Sequence, residues 1–162
     1  MHASHVPVGE IPELSTKFRI DLFTTYPAAL FPKHYPIALT PHSDPRGSVV
    51  ETARCRGGEG QTSFSMTVPG TNRGEYYHLH KIERFAVISG TGTMDLRNMF
   101  TDEVLTFPST GEQPVAIDMP VGWVHNITNT GDGVLLTQFW SHALVRPHAP
   151  DTFVEPVHAS NT

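Results

Sequence analysis

The 162-residue chain has one cysteine, Cys55, so it can form neither an intrachain disulfide nor a cysteine-based zinc module. It has no apolar run near the roughly 18 residues that a membrane-spanning helix needs. Its opening, MHASHVPVGE, lacks the basic and then apolar stretches of a secretory signal. The expected compartment is therefore the cytoplasm, with no membrane partner. Positive charge is scarce: 11 Lys and Arg against 16 Asp and Glu give a net charge of −5, and no basic cluster stands out, which argues against nucleic-acid binding. Charged residues make up 17% and hydrophobic residues 38%, the balance of neither a disordered chain nor a membrane protein. Internal repeats and low-complexity tracts are also missing. What the chain does have is 14 prolines, 13 glycines and 10 histidines.

The prolines and glycines punctuate short segments that read as strands. Residues 35–39, 47–55, 61–68, 83–90, 92–98, 102–107, 114–119, 123–129 and 133–140 are each bounded by Pro, Gly or Asp. In QTSFSMTV, Phe64, Met66 and Val68 alternate with Ser63, Ser65 and Thr67, the period of a strand with one buried face. About nine such strands with almost no helix predict an all-β domain, a sandwich or barrel of antiparallel strands. Residues 1–34 read as an N-terminal arm, polar and mobile at first, then with a helical turn within 21–30 that Pro27 interrupts. Residues 35–145 form the expected barrel. Residues 146–162 form a Pro-rich tail expected to leave it. Phe18, Ile20, Leu22, Phe23, Leu30 and Phe31 give the arm more apolar surface than a solvated segment needs, and point to a homodimer that uses it.

Seven of the histidines lie near the termini or prolines and read as solvated. His78, His80 and His125 lie in apolar-flanked segments. On a strand, Tyr76, His78 and His80 share a face. Glu83 opens the next strand, and His125 follows a Pro-x-Gly turn. Two imidazoles and a carboxylate can hold zinc, iron, nickel or manganese with positions left for substrate. Each part alone is ordinary: a lone His-x-His is mostly chance, and a lone His125 reads equally as a hydrogen-bonded core residue. Lys81 and Arg84 read as phosphate partners or a solvated face; Trp123, Phe139 and Trp140 read as stacking platforms or core.

The joint spacing is more informative. Gly70, Tyr76, His78, Glu83 and Gly90 fit G-x5-[H]-x-H-x4-E-x6-G, and Pro120, Gly122, His125 and Asn129 fit P-x-G-x2-H-x3-N. The pair resembles the two motifs of the cupin jelly-roll barrel. Tyr76 stands where the first motif has histidine, and Pro114 where the second has glycine. The chain is also similar, from about Phe18 to Val157, to the C-terminal cupin half of the bifunctional capsular-polysaccharide enzymes that reduce and epimerise UDP-4-keto-hexoses. The similarity runs through FRIDLFTTYPAALFPKHYPIAL, DPRGSVVE, RGEYYHLHKIERFAVISGTG, IDMPVGWVHNITNTG and PDTFVEPV. Its DPRG and RG-x-x-x-H features are similar to those of sugar-nucleotide 3,5-epimerases and 3,4-ketoisomerases.

The resemblance implies a jelly-roll with a divalent metal, zinc first, at His78, Glu83 and His125. It implies Arg73 facing the nucleotide sugar or its enolate, and Tyr76 in a position that serves elsewhere as ligand or base. His80 is expected as base or extra ligand, and Tyr76 as the acid that returns a proton. The implied substrate is a nucleotide-linked 4-keto-6-deoxy sugar and the implied reaction 3-epimerisation through an enolate. The alternatives are a 3,4-ketoisomerase, a non-haem iron oxygenase and a non-catalytic sugar-binding cupin. No G-x-G-x-x-G follows a strand, so a separate NAD(P)-dependent reductase is an expected pathway partner.

Overall fold

Turn chemistry and alternation set the strands. In Asp44-Pro45-Arg46-Gly47, proline presets the turn and Asp44 Oδ1 accepts the Arg46 N–H at 2.8 Å. Gly47 has φ 129°, and a Cβ there would lie 1.8 Å from the Met66 carbonyl oxygen. This turn joins β1 (Pro41–Asp44) to β2 (Gly47–Cys55). In the computed structural model, residues 10–30, 33, 36–57 and 60–158 are described. The expectations for residues 1–9, Phe31 and Tyr35 lie outside the described residues.

Nine more strands follow: β3 (Gly60–Thr67), β4 (Asn72–Tyr77), β5 (Glu83–Ser89), β6 (Thr91–Asn98), β7 (Val104–Thr110), β8 (Ala116–Met119), β9 (Trp123–Asn129), β10 (Leu135–Ser141) and β11 (Phe153–Val154). One sheet has the order β1-β2-β3-β10-β5-β8 and the other β11-β4-β9-β6-β7. The paired strands are antiparallel throughout. This is the expected all-β jelly-roll. Its apolar core is Phe85, Val87, Met94, Leu96, Met119, Ile127 and Leu135, with Ile117, Trp123 and Phe139 packed against it. No helix among the described residues is long and apolar enough to cross a membrane.

Three expectations need revision. Pro36–Leu39 are not in a strand; pairing starts at Pro41. The arm holds a full helix, α1 (Lys17–Leu30), that runs through Pro27. Thr16 caps it by accepting the Arg19 N–H, and Lys17 pairs with Asp21 one turn on. The missing proline donor removes one bond, and the helix continues past it. No residue of α1 is buried.

In β3 the expected alternation is present, and the buried row is the polar one. Ser63, Ser65 and Thr67 are buried, while Met66 is 43% exposed. Ser65 lines the interior cavity, and the hydroxyl row of β3 points inward while Met66 points out. The tail also differs. β11 pairs with β4, Phe153 stacks on Tyr77, and Val157 is fully buried. The chain leaves β10 at Ser141 and runs without regular structure to β11, where apolar residues of the tail dock.

A bulge between Gly74 and Tyr76 in β4 sets Tyr76 directly opposite His125 in β9. Gly74 has φ 106°, and a Cβ there would meet the His125 carbonyl oxygen at 2.6 Å. Glu75 beside it takes φ 66°, rare for a residue with a side chain. Gly74→Ala is therefore expected to lose at least about 2 kcal/mol of stability in urea denaturation. An unchanged unfolding midpoint would contradict this close approach.

Candidate metal centre and its cavity

His78 follows the last residue of β4, Glu83 opens β5, and His125 lies mid-strand in β9. All three are buried, and one ligand atom from each lies within 4.8 Å of the others. His78 Nε2 is 3.4 Å and His125 Nε2 3.8 Å from Glu83 Oε2. None of these three atoms has a hydrogen-bond partner among the described residues.

The hydrogen bonds behind the cluster explain why its front is bare. His78 Nδ1 lies 2.5 Å from the Asp151 carbonyl oxygen. A carbonyl only accepts, so Nδ1 carries the proton, and in the neutral ring Nε2 presents a lone pair to the carboxylate. Lys81, itself buried, holds Glu83 Oε1 at 2.8 Å and leaves Oε2 facing the imidazoles. Burial pushes the Glu83 pKa up, and the Lys81 ammonium at Oε1 opposes that push. Burial pushes His125 down to about 4, against the pull of the Glu83 charge, so its ring is neutral at physiological pH.

A lone-pair nitrogen and an anionic oxygen facing each other in a dry interior are unfavourable; each unsatisfied buried polar atom costs about 1–3 kcal/mol. A divalent cation removes that cost. With ligand bonds of about 2.1 Å, neighbouring donor atoms stand roughly 3–3.5 Å apart, close to the spacing found here. The residues present therefore fit a metal ion.

The cluster borders a cavity of about 340 Å³, lined by Arg46, Arg73, Tyr76, His125, Asn126 and Phe139, among others. The Tyr76 ring stands 5.2 Å from His78 and 4.8 Å, edge-on, from His125. Burial raises the Tyr76 pKa, and the Glu83 charge adds to this, so the phenol is protonated. Arg73 enters from β4, donates to Thr67 Oγ1 at 3.2 Å and approaches Asp44 at 3.5 Å. Burial lowers its pKa while Asp44 opposes the shift. Val49 and Phe139 separate this cavity from an adjoining groove of about 430 Å³ that passes His42, Glu51, Arg54 and Gln61.

The expectation that Tyr76, His78 and His80 share one interior face holds for the first two residues only. The His80 side chain is 87% exposed. The reason is that β4 ends at Tyr77 and residues 78–82 curve around Asp151, breaking the alternation. Sequence reasoning missed Arg46 as a lining residue, although the DPRG turn that carries it stood out. It also missed Asp151, which no local pattern marks. Arg84 pairs with Asp118 at the surface, and Trp123 and Phe139 pack on the core.

The family model for the polysaccharide biosynthesis C-terminal domain matches residues 42–153. Over 132 residues the chain is 33% identical to the UDP-2-acetamido-2,6-beta-L-arabino-hexul-4-ose reductase of Pseudomonas aeruginosa, covering 82% of this chain and 35% of that protein. The capsular polysaccharide assembling protein CapF of Staphylococcus aureus superposes with a TM-score of 0.84 at 33% identity, over 91% of this chain and 40% of CapF. The chain thus spans well under half the length of these two relatives. Oxalate decarboxylase of Bacillus subtilis shares the fold, with a TM-score of 0.54 at 19% identity over 64% of this chain and 27% of that one.

If the cluster is a metal centre, the purified chain carries about one divalent ion, and His125→Ala lowers its affinity at least about 100-fold, since one of three protein donors is lost. Elemental analysis and chelator competition measure both. Equal metal content in the two proteins would place any metal elsewhere.

Proposed function

The chain belongs to the polysaccharide biosynthesis C-terminal domain family, and from that premise we propose that it is a metal-containing cupin that epimerises carbon 3 of a nucleotide-linked 4-keto-6-deoxy sugar through an enolate. One observation supports this most: the protonated phenol of Tyr76 and two arginines line the cavity that meets the His78, Glu83 and His125 cluster at His125. Its volume suits a hexose ring, with the nucleotide extending into the adjoining groove. The relatives, a keto-hexose reductase and a capsule-assembling protein, point to the same class of substrate.

A hydrogen next to a ketone is removable because the resulting charge spreads onto oxygen. Zinc, or iron, nickel or manganese, held by His78, Glu83 and His125 would supply Lewis-acid stabilisation of that oxygen. Arg73, partly desolvated, adds fixed positive charge facing the same cavity. Tyr76 holds a proton at its hydroxyl and can deliver it to one face of the planar intermediate. Among the lining residues, Arg46, Arg73, Tyr76 and His125 are the titratable ones. The arginines stay charged and His125 belongs to the cluster, which leaves Tyr76 as the proton carrier. His80 faces solvent, so the base role expected of it is not carried forward; water on the face opposite Tyr76 takes the carbon 3 proton, and solvent returns a proton to the Tyr76 oxygen after it has delivered its own.

The same two imidazoles and one carboxylate form the donor set of non-haem iron oxygenases, which gives a second reading. Oxygen consumption with ferrous iron distinguishes it. A separate NAD(P)-dependent reductase is proposed to act on the product.

Two outcomes test this reading. In heavy water, the wild-type chain is expected to place deuterium at carbon 3 of a UDP-4-keto-6-deoxy sugar. Tyr76→Phe keeps binding and loses product by about 100-fold or more. No deuterium incorporation by wild type would sink the epimerase reading.

We also propose a homodimer built on residues 1–34. Phe18, Ile20 and Leu22 of α1 are 73%, 44% and 47% exposed, a large apolar surface to leave in water. Removing residues 1–34 is expected to give monomers or insoluble protein in light scattering. A truncated chain that remains dimeric would overturn this assembly.

A further inference from the structure

A histidine ligand needs its ring orientation fixed by a partner on its other nitrogen, and a ligand on irregular backbone needs that backbone fixed as well. His78 lies just beyond β4, on the segment 78–82 that joins β4 to β5. Within this segment Leu79, His80 and Lys81 donate their backbone N–H groups to one carboxylate. Asp151 Oδ1 accepts from Leu79 at 3.1 Å, and Oδ2 accepts from His80 at 2.9 Å and Lys81 at 2.8 Å. The same residue's carbonyl accepts from His78 Nδ1.

We propose that Asp151 is the positioning residue of the metal centre, setting the ring orientation of His78 and fixing the backbone that carries Lys81 toward Glu83. The proposal rests on the metal reading above. Asp151 lies 73 residues from His78 in the chain. Its φ of 47° is a conformation that aspartate and asparagine tolerate better than most residues, and it lets carbonyl and carboxylate reach one loop. The tail is pinned just beyond it by the Phe153–Tyr77 stack and buried Val157. Asp151 therefore reaches two of the three ligands: His78 directly, and Glu83 through Lys81, whose Nζ occupies Oε1. Glu83 then offers a single oxygen to the ion.

The test compares the full-length wild type with Asp151→Gly, Asp151→Asn and His125→Ala. Glycine removes the carboxylate without straining φ. Asparagine keeps that φ but replaces one acceptor oxygen with an amide. Zinc affinity is read by chelator competition, and the His78 tautomer of the metal-free protein by imidazole nitrogen NMR. Loss of such a partner weakens metal binding by about 10- to 100-fold. Asp151→Gly is expected near the upper end and Asp151→Asn near the lower, with the Nδ1-protonated His78 of wild type giving way to a tautomer mixture. Wild-type affinity and tautomer in Asp151→Gly would overturn the proposal and leave the metal reading standing. If that variant does not fold, wild-type affinity in Asp151→Asn overturns it equally. No zinc binding by wild type overturns the metal reading and the proposal together.

Discussion

The carboxylate of Glu83 is buried where two imidazole nitrogens face its free oxygen, and the surrounding structure is organised around that unfavourable arrangement. One oxygen is neutralised by buried Lys81, and the other has no partner. In a low-dielectric interior an anion in that position must be paired or must take up a proton. The Lys81 ammonium favours its ionised form. Burial keeps His125 neutral. The Asp151 carbonyl directs the His78 proton away from the cluster. These are the conditions under which a divalent cation is bound rather than a proton.

The barrel makes this possible by setting polar side chains among apolar ones at one end of its interior. Phe85, Val87, Met94, Leu96, Met119, Ile127 and Leu135 form the apolar core. Phe85, Met94 and Ile127 of that core also line the cavity, where Arg46, Ser65, Arg73 and Asn126 join them, so polar atoms take part of a space that apolar side chains would otherwise fill. The bulge at Gly74 and Glu75 belongs to the same design. It shifts β4 by one residue and sets Tyr76 against His125, which places the phenol beside the cluster.

Much of this was legible in the sequence. The strands at 47–55 and 123–129 match residue for residue, because Gly and Pro-x-Gly turns mark their ends. The two spaced motifs marked His78, Glu83 and His125, which the fold brings together. At β3 alternation correctly reported which residues share a face, but it does not say which face is inside. It misled at His80 because a strand end is invisible to periodicity. Nothing local marked Asp151: its importance comes from a tail that returns across the barrel, and such long-range contacts leave no pattern near either partner. Helix α1 was underestimated because Pro27 carries a strong breaking signal that the Thr16 cap and the Lys17–Asp21 pair override.

The central claim is that His78, Glu83 and His125 together hold one divalent ion beside Tyr76. X-ray absorption at the metal edge of the purified full chain addresses it most directly. The account predicts a first coordination sphere of nitrogen and oxygen only, at about 2.0–2.2 Å, with the outer-shell signature of two imidazoles. A spectrum showing a sulfur ligand, no imidazole, or an environment unchanged by His125→Ala would contradict it.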